Sequence, residues 1–302
     1  MTWSFSQYKS FRQCQRQWFY RSKFAKSKAN DPLRKEAARL SKLNNLKAWR
    51  GKIVDVVISN NIIPAVKQGK TVNLGMATEI ALKFFQEQQL QGMHPIPARD
   101  VDFSGFVEVE YGKPPTPEDF DFAWKEIQQA LDSFFKNSFI WENLKIANTV
   151  NTQRNIQFSC NSFNVKAVPD VLYFFLDQPP LIIDWKVQTN PIADYWMQLA
   201  IYAIALTRCK PHRDWPALSS KLHPSDVKLA EIQLLTDTIR MHTVTDEEIE
   251  NLEEIIVDSA TEMSLAMGSG IIKDIQAKEF PTARYPNTCM YCNFKKLCWV
   301  KT

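Results

Sequence analysis

Asp170, Asp184 and Lys186 stand in apolar, strand-like runs, "VKAVPDVLYFF" and "PLIIDWKVQ", where charged side chains are uncommon. Side chains alternate along a strand, so Asp184 and Lys186, two apart, face the same side. Asp170 ends or interrupts the preceding strand, and pairing of the two strands would bring it near Asp184. Two carboxylates in apolar surroundings repel and resist ionisation. A hard divalent cation, Mg2+ or Mn2+, removes that penalty by taking oxygen ligands. A lysine beside them can position or deprotonate a water, or steady charge on a phosphoryl oxygen. Metal-assisted phosphodiester hydrolysis fits this set. The same three residues also read as a turn acid and an ion pair on an edge strand, since short motifs match by chance.

A second group with chemical potential is "CMYCNFKKLCW", which spaces Cys289, Cys292 and Cys298 as C-x2-C-x5-C. A tetrahedral thiolate site takes four sulfurs, and zinc accepts four thiolates. Cys160 and Cys209 have no partner at motif spacing and read as structural.

The elements that must position these residues follow from periodicity and punctuation. From Thr2 to about Gln91 the pattern is mostly helical: one helix through "QYKSFRQCQRQWFYRSKF", another over "WRGKIVDVVISNN", a third over "NLGMATEIALKFFQEQQL". Prolines punctuate "HPIPARDVDFSGFVEVEYGKPPTPEDF", which predicts loop with little regular structure. From Asn151 the period changes to strand, Asn-Ser turn, strand, with "PLIIDWKVQ" as a third strand. Asn190-Pro191 predicts the start of a helix, "IADYWMQLAIYAIALTRC". Gln198 and Tyr202 lie four apart in it and share one face. Two strands, "VKLAEIQLLT" and "TIRMHTV", follow, and Thr245 to Glu248 forms a capping box opening a helix to about Met267. Helices, a three-strand meander, a helix, two strands and a helix predict an α/β fold with a helical N-terminal portion.

Pro169-Asp170, thirteen residues, then Asp184-Trp185-Lys186 resembles the PD-(D/E)xK nuclease signature. "QLAIY", with Gln198 and Tyr202, is similar to the QxxxY motif of RecB-type nucleases. That resemblance implies a restriction-endonuclease-like core, a mixed central sheet flanked by helices, with a helical N-terminal portion and a cysteine-rich tail. It implies that Asp170 and Asp184 bind the metal, with a backbone carbonyl near Trp185 adding a ligand. Lys186 would activate or orient water, and Gln198 and Tyr202 would organise the lysine and the nucleic acid. Asp55 stands four residues after Gly51, where such nucleases usually carry a histidine metal ligand. Cys14 with Cys289, Cys292 and Cys298 matches the pattern, one cysteine before the core and three after it, by which iron–sulfur members hold a [4Fe–4S] cluster. Those members include the AddB nuclease domain and the CRISPR-associated Cas-four family. Zinc stays open as the alternative occupant, and so do a Cys14 that only packs in the core beside unliganded tail cysteines and a disulfide between Cys289 and Cys292. The resemblance implies one nuclease domain over residues 1–302: a mainly helical N-terminal portion over residues 1–150, a catalytic core over 151–267 and a cluster-binding tail over 268–302. It implies exonuclease or end-processing activity on single-stranded DNA or DNA ends, in repair, recombination or CRISPR and phage defence. A helicase or CRISPR integrase is the corresponding partner.

Composition is compatible with these expectations. At 302 residues and 45% hydrophobic, the chain can build a substantial core. Its formal charge of +4 says little, but eleven Lys and Arg against two acids between Arg21 and Lys52 predict a surface able to track a phosphate backbone. Trp18, Phe19 and Trp49 could add stacking on single-stranded bases. The start, "MTWSFSQYKSF", lacks a signal peptide's apolar run, and no window reaches the ~18 apolar residues of a membrane span. A cytoplasmic protein with no membrane contact is therefore expected. Two other readings are a non-catalytic subunit that binds DNA ends and a zinc-stabilised interaction module.

Overall fold

A computed structural model describes residues 1–94, 103–189, 195–216, 222–268 and 276–299. Ten strands lie among them: β1 (Thr2–Trp3), β2 (Leu43–Asn44), β3 (Gly105–Phe106), β4 (Thr149–Thr152), β5 (Ile156–Cys160), β6 (Phe163–Ala167), β7 (Val171–Phe174), β8 (Leu181–Lys186), β9 (Lys228–Gln233) and β10 (Thr238–His242). The chain divides into two compact units. The first comprises Met1–Ser4, Arg50–Lys83 and Trp124–Asp258, and the second Phe5–Trp49, Phe84–Ala123 and Ser259–Thr302.

The first unit holds a five-stranded sheet in the order β10-β9-β8-β7-β4 and a three-stranded sheet in the order β1-β6-β5. β8 is a central strand, antiparallel to β7 and parallel to β9. A parallel neighbour requires a crossover, and the helix Tyr195–Arg208 lies on it. That helix packs against β5, β6, β8 and β9. Contact with strands of both sheets explains why its residues from Leu199 to Leu206 are all buried rather than striped. The predicted start of this helix, at Asn190-Pro191, lies outside the described residues.

The predicted three-strand meander is corrected. "VKAVPDVLYFF" is two strands, β6 pairing with β5 and β7 pairing with β4 and β8. The break falls at Val168-Pro169-Asp170. Proline has no N–H to give a ladder, so the chain leaves one sheet there and enters the other. That exit sets Asp170 immediately before β7.

The second unit is mainly helical. Its predicted first helix is also corrected: it breaks at Cys14, whose backbone is extended (φ −164°), giving helices Phe5–Gln13 and Gln15–Phe19. Cys14 caps the second, its sulfur accepting from the Gln17 N–H at 3.4 Å. The proline-rich stretch is not all loop, for β3 pairs in parallel with β2 and a short helix covers Val107–Glu110. Trp49, wholly buried, packs with Phe85, Phe106 and Phe120. In the helix Leu74–Met93, a Cβ added to Gly92 would lie 2.3 Å from Phe106 Cε2. Gly92→Ala is therefore expected to cost about 1–3 kcal/mol through overpacking, read as a lower denaturant midpoint.

The C-terminal segment is stitched to the N-terminal portion of this unit. Asn293 Nδ2 donates to the Leu40 and Leu43 carbonyls, both at 2.9 Å, and the Tyr111 hydroxyl donates to the Asn293 carbonyl at 2.5 Å. Phe294 stacks on Tyr20 with centroids 5.5 Å apart, and Arg16 Nε donates to the Phe280 carbonyl at 3.0 Å. Among the described residues, no helix is long and apolar enough to cross a membrane.

Candidate active site

The register of the first unit gathers the acids. β7 and β8 pair Val171 with Ile183, so the next step along both strands sets Asp170 opposite Asp184. Asp184 is 2% exposed in the middle of the sheet. Its carboxylate forms an ion pair with the Lys186 ammonium, which lies 4.7 Å from the centre of the Tyr195 ring. Gln198 Nε2 donates to Asp184 Oδ1 at 3.3 Å and to the Tyr202 hydroxyl oxygen at 2.5 Å. The two helix residues four apart therefore both reach the strand acid's surroundings, one directly and one through its neighbour.

Asp55 comes from the helix Leu46–Val57. Its Oδ1 accepts from the Trp185 indole N–H at 3.1 Å, from Ser59 Oγ at 3.1 Å and from Gln153 Nε2 at 3.0 Å. Asp170 Oδ1 accepts from the same Gln153 amide at 2.9 Å, and its Oδ2 accepts from the Trp185 backbone N–H at 3.1 Å. Trp185 thus serves both acids as a donor. Among the described residues, no three His, Cys, Asp or Glu side chains stand close enough to hold an ion as placed.

Burial, with Asp184 and Asp55 adding to it, raises the Asp170 carboxyl well above its ordinary range, while Lys186 and the Gln153 bond oppose the shift. Burial also raises Asp55, against the donors from Trp185, Ser59 and Gln153. For Lys186, burial pulls downward but Asp184 and Asp170 outweigh it, so the ammonium is held above its usual value. Burial and the same two acids lift Tyr202 well above the usual phenol. Crowded, partly desolvated carboxylates with an ammonium alongside are a donor set that suits a hard divalent cation.

Three residues of this neighbourhood carried no sequence signal. Ser59 and Gln153 are polar residues in no motif. Glu231, 2% exposed, lies beside Asp184 in the parallel β8–β9 ladder and contacts Gln233, His242 and Arg240.

In the second unit, Cys14, Cys289, Cys292 and Cys298 line one cavity together with Arg16 and Tyr20. Cys292 Sγ accepts from the Phe294 N–H at 3.4 Å, and Arg16 Nη1 lies 3.8 Å from Cys298 Sγ. Burial pushes the Cys292 thiol up to about 11, the Phe294 N–H opposing and the other three sulfurs adding to the rise. Four cysteines around one cavity, three of them accepting from N–H donors, are a donor type suited to a thiophilic metal group, while as placed no three of them stand close enough to hold one.

The expected stacking platform is overturned. Trp18, Phe19 and Trp49 are each 0% exposed and belong to the core, so none can meet a base. Some of the basic segment is structural too. Arg39 pairs with Glu36 at 2.6 Å and Glu110 at 2.8 Å, Arg50 pairs with Glu126, and Arg34 Nε donates to the Phe24 carbonyl at 2.9 Å.

The sequence matches the family model of the PD-(D/E)XK nuclease superfamily over residues 67–299, and the chain belongs to that superfamily. It is thus a nuclease, whose reaction is phosphodiester hydrolysis. The matched span contains Asp170, Asp184, Lys186, Gln198, Tyr202 and the three tail cysteines, and leaves Cys14 and Asp55 outside it. No curated protein matches the sequence. A solved structure described as "Crystal structure of SSO0001" aligns with a TM-score of 0.32 at 14% identity, over 73% of this chain and 96% of its own.

Proposed function

We propose that the chain is a Mg2+- or Mn2+-dependent deoxyribonuclease of the RecB type, acting on single-stranded DNA or DNA ends. The observation that carries this reading is the β7–β8 register, which sets Asp170 opposite Asp184, with Lys186 ion-paired to Asp184. Asp170 and Asp184 are the metal ligands, with Asp55 completing the site and the backbone at Trp185 contributing. A divalent cation held there supplies charge neutralisation on the phosphate and an acidified water. Lys186 orients that water, and Gln198 and Tyr202 fix Asp184 and Lys186 against the incoming strand. Lys26, Lys35 and Lys47 are exposed and suited to meeting a phosphate backbone. The corresponding settings are repair, recombination or CRISPR and phage defence, with a helicase or integrase as partner.

The second unit carries a structural [4Fe–4S] cluster on Cys14, Cys289, Cys292 and Cys298. What supports this is the shared cavity and the N–H donors to Cys14 and Cys292. Cys292→Ser is expected to lose the bound metal and several kcal/mol of apparent stability, on the order typical of structural metal sites. Metal analysis beside thermal melts checks this. Zinc in place of iron in anaerobically purified protein would replace the cluster by a zinc site.

The whole reading is tested by digesting end-labelled single- and double-stranded DNA with Mn2+, with and without chelator. Cleavage that the chelator abolishes supports it. DNA binding without cleavage under Mg2+ and Mn2+ would assign the chain to a non-catalytic end-binding role instead.

A further inference from the structure

Gln153 lies in the bend between β4 and β5, at the end of the ladder that faces Asp170. It adopts φ +48°, a left-handed conformation uncommon for a residue with a long side chain. Its N–H donates to the Asp170 carbonyl at 3.0 Å, which fixes this backbone beside the acid. The side chain then reaches between two carboxylates: one amide nitrogen donates to Asp55 Oδ1 at 3.0 Å and to Asp170 Oδ1 at 2.9 Å. An unusual backbone conformation at a functional site points to a task for the side chain it directs.

A carboxamide nitrogen has two N–H groups and no lone pair to give a metal. Set between two carboxylates, it satisfies them as a cation would, though more weakly, and it uses an oxygen of each. A cation shared by Asp55 and Asp170 would draw on lone pairs of the same carboxylates and on the space between them that the amide fills, so the amide and the ion compete there. Trp185 also serves both acids, with its indole and its backbone N–H, and Ser59 holds Asp55, but among the described residues only Gln153 spans both acids through one side chain.

We propose that Gln153 is a positioning residue whose amide competes with the divalent cation for Asp55 and Asp170, and so sets the metal concentration at which the site fills. This rests on the metal-binding reading of these acids given above. The amide keeps the two carboxylates registered and quenches their repulsion until the ion displaces it.

The test is a titration of metal-stripped full-length protein with Mn2+ alone, following free Mn2+ by electron paramagnetic resonance, beside thermal melts. Gln153→Asn keeps an amide and suits the left-handed backbone, but is one methylene too short to span both acids. Gln153→Ala removes the amide altogether. Both variants are expected to bind Mn2+ more tightly, by about tenfold, because charge-assisted hydrogen bonds no longer oppose the ion. Both are also expected to melt lower than wild type when metal-stripped and to recover that difference once Mn2+ is added. Unchanged Mn2+ affinity with a lower melting temperature would make Gln153 merely structural and overturn the proposal. Weaker binding would also overturn it, making the residue a ligand through Oε1. Wild-type protein that binds no Mn2+ removes the metal reading and the proposal together, an outcome distinct from either of these.

Discussion

Lys186→Ala is expected to slow DNA cleavage by about a hundredfold to ten-thousandfold, the range set by the loss of one positioned proton-transfer or charge-stabilising group. The side chain is 18% exposed at the end of β8. What it contributes is a cation fixed by Asp184 on one side and faced by the Tyr195 ring on another. Removing it leaves a 2% exposed carboxylate without its counter-ion, so some stability is lost as well. Lys186→Arg separates the two effects. It retains the charge and the pairing but replaces a compact ammonium by a planar fork. Cleavage should fall nearly as far in the arginine variant while its melting temperature stays near wild type. Single-turnover cleavage with Mn2+ and circular dichroism melts read both quantities. Full activity in Lys186→Arg and Lys186→Ala would end the assignment of a catalytic role to this residue.

Trp49→Ala is expected to destabilise the protein by about 3–5 kcal/mol, the cost of deleting a large aromatic from a packed core. Its ring lies 4.8 Å from Phe85 and 5.0 Å from Phe106, centroid to centroid, and its indole N–H donates to Gln88 Oε1 at 2.7 Å. The truncation therefore leaves a cavity and an orphaned acceptor. Urea unfolding measures the loss as a shift in midpoint. This outcome differs from that of a base-stacking residue, whose truncation would weaken single-stranded DNA binding and leave stability unchanged. Trp18 and Phe19 follow the same logic, packing with Phe280 rather than facing solvent.

The legible portion of the site was the portion written in local order. Asp184 and Lys186 share a strand, and alternation alone puts them on one side. Gln198 and Tyr202 share a helix, and a spacing of four residues puts them on one face. Opposition of Asp170 to Asp184 needed only the assumption that neighbouring strands pair. What escaped depends on distant partners. Gln153 gains its meaning from lying between residues 55 and 170, which no spacing encodes. Arg39 reads as one more basic residue until Glu110 is seen beside it, 71 positions away. Aromatic residues near lysines suggest a nucleic-acid surface, yet only tertiary packing decides whether a ring faces water or core. The division at Pro169 was obscured by the continuous apolar run around it, although a missing N–H in that run was a readable sign. The helix break at Cys14 had no such breaker, since the residues on both sides are good helix formers.

The key side chains come from three stretches that meet only after most of the first unit has been made. Asp55 lies on an early helix, Asp170 just before β7, and Asp184 and Lys186 on β8, whose parallel neighbour β9 ends at Gln233. A nascent polypeptide that has left the ribosome only as far as β7 therefore holds two of the acids but neither the third nor the amine. Even with β8 emerged, that strand lacks one of its two flanking strands until about forty further residues have been translated. An interrupted or proteolytically shortened product lacking β8 therefore lacks Asp184 and Lys186, two of the groups to which cleavage is assigned in the proposal above.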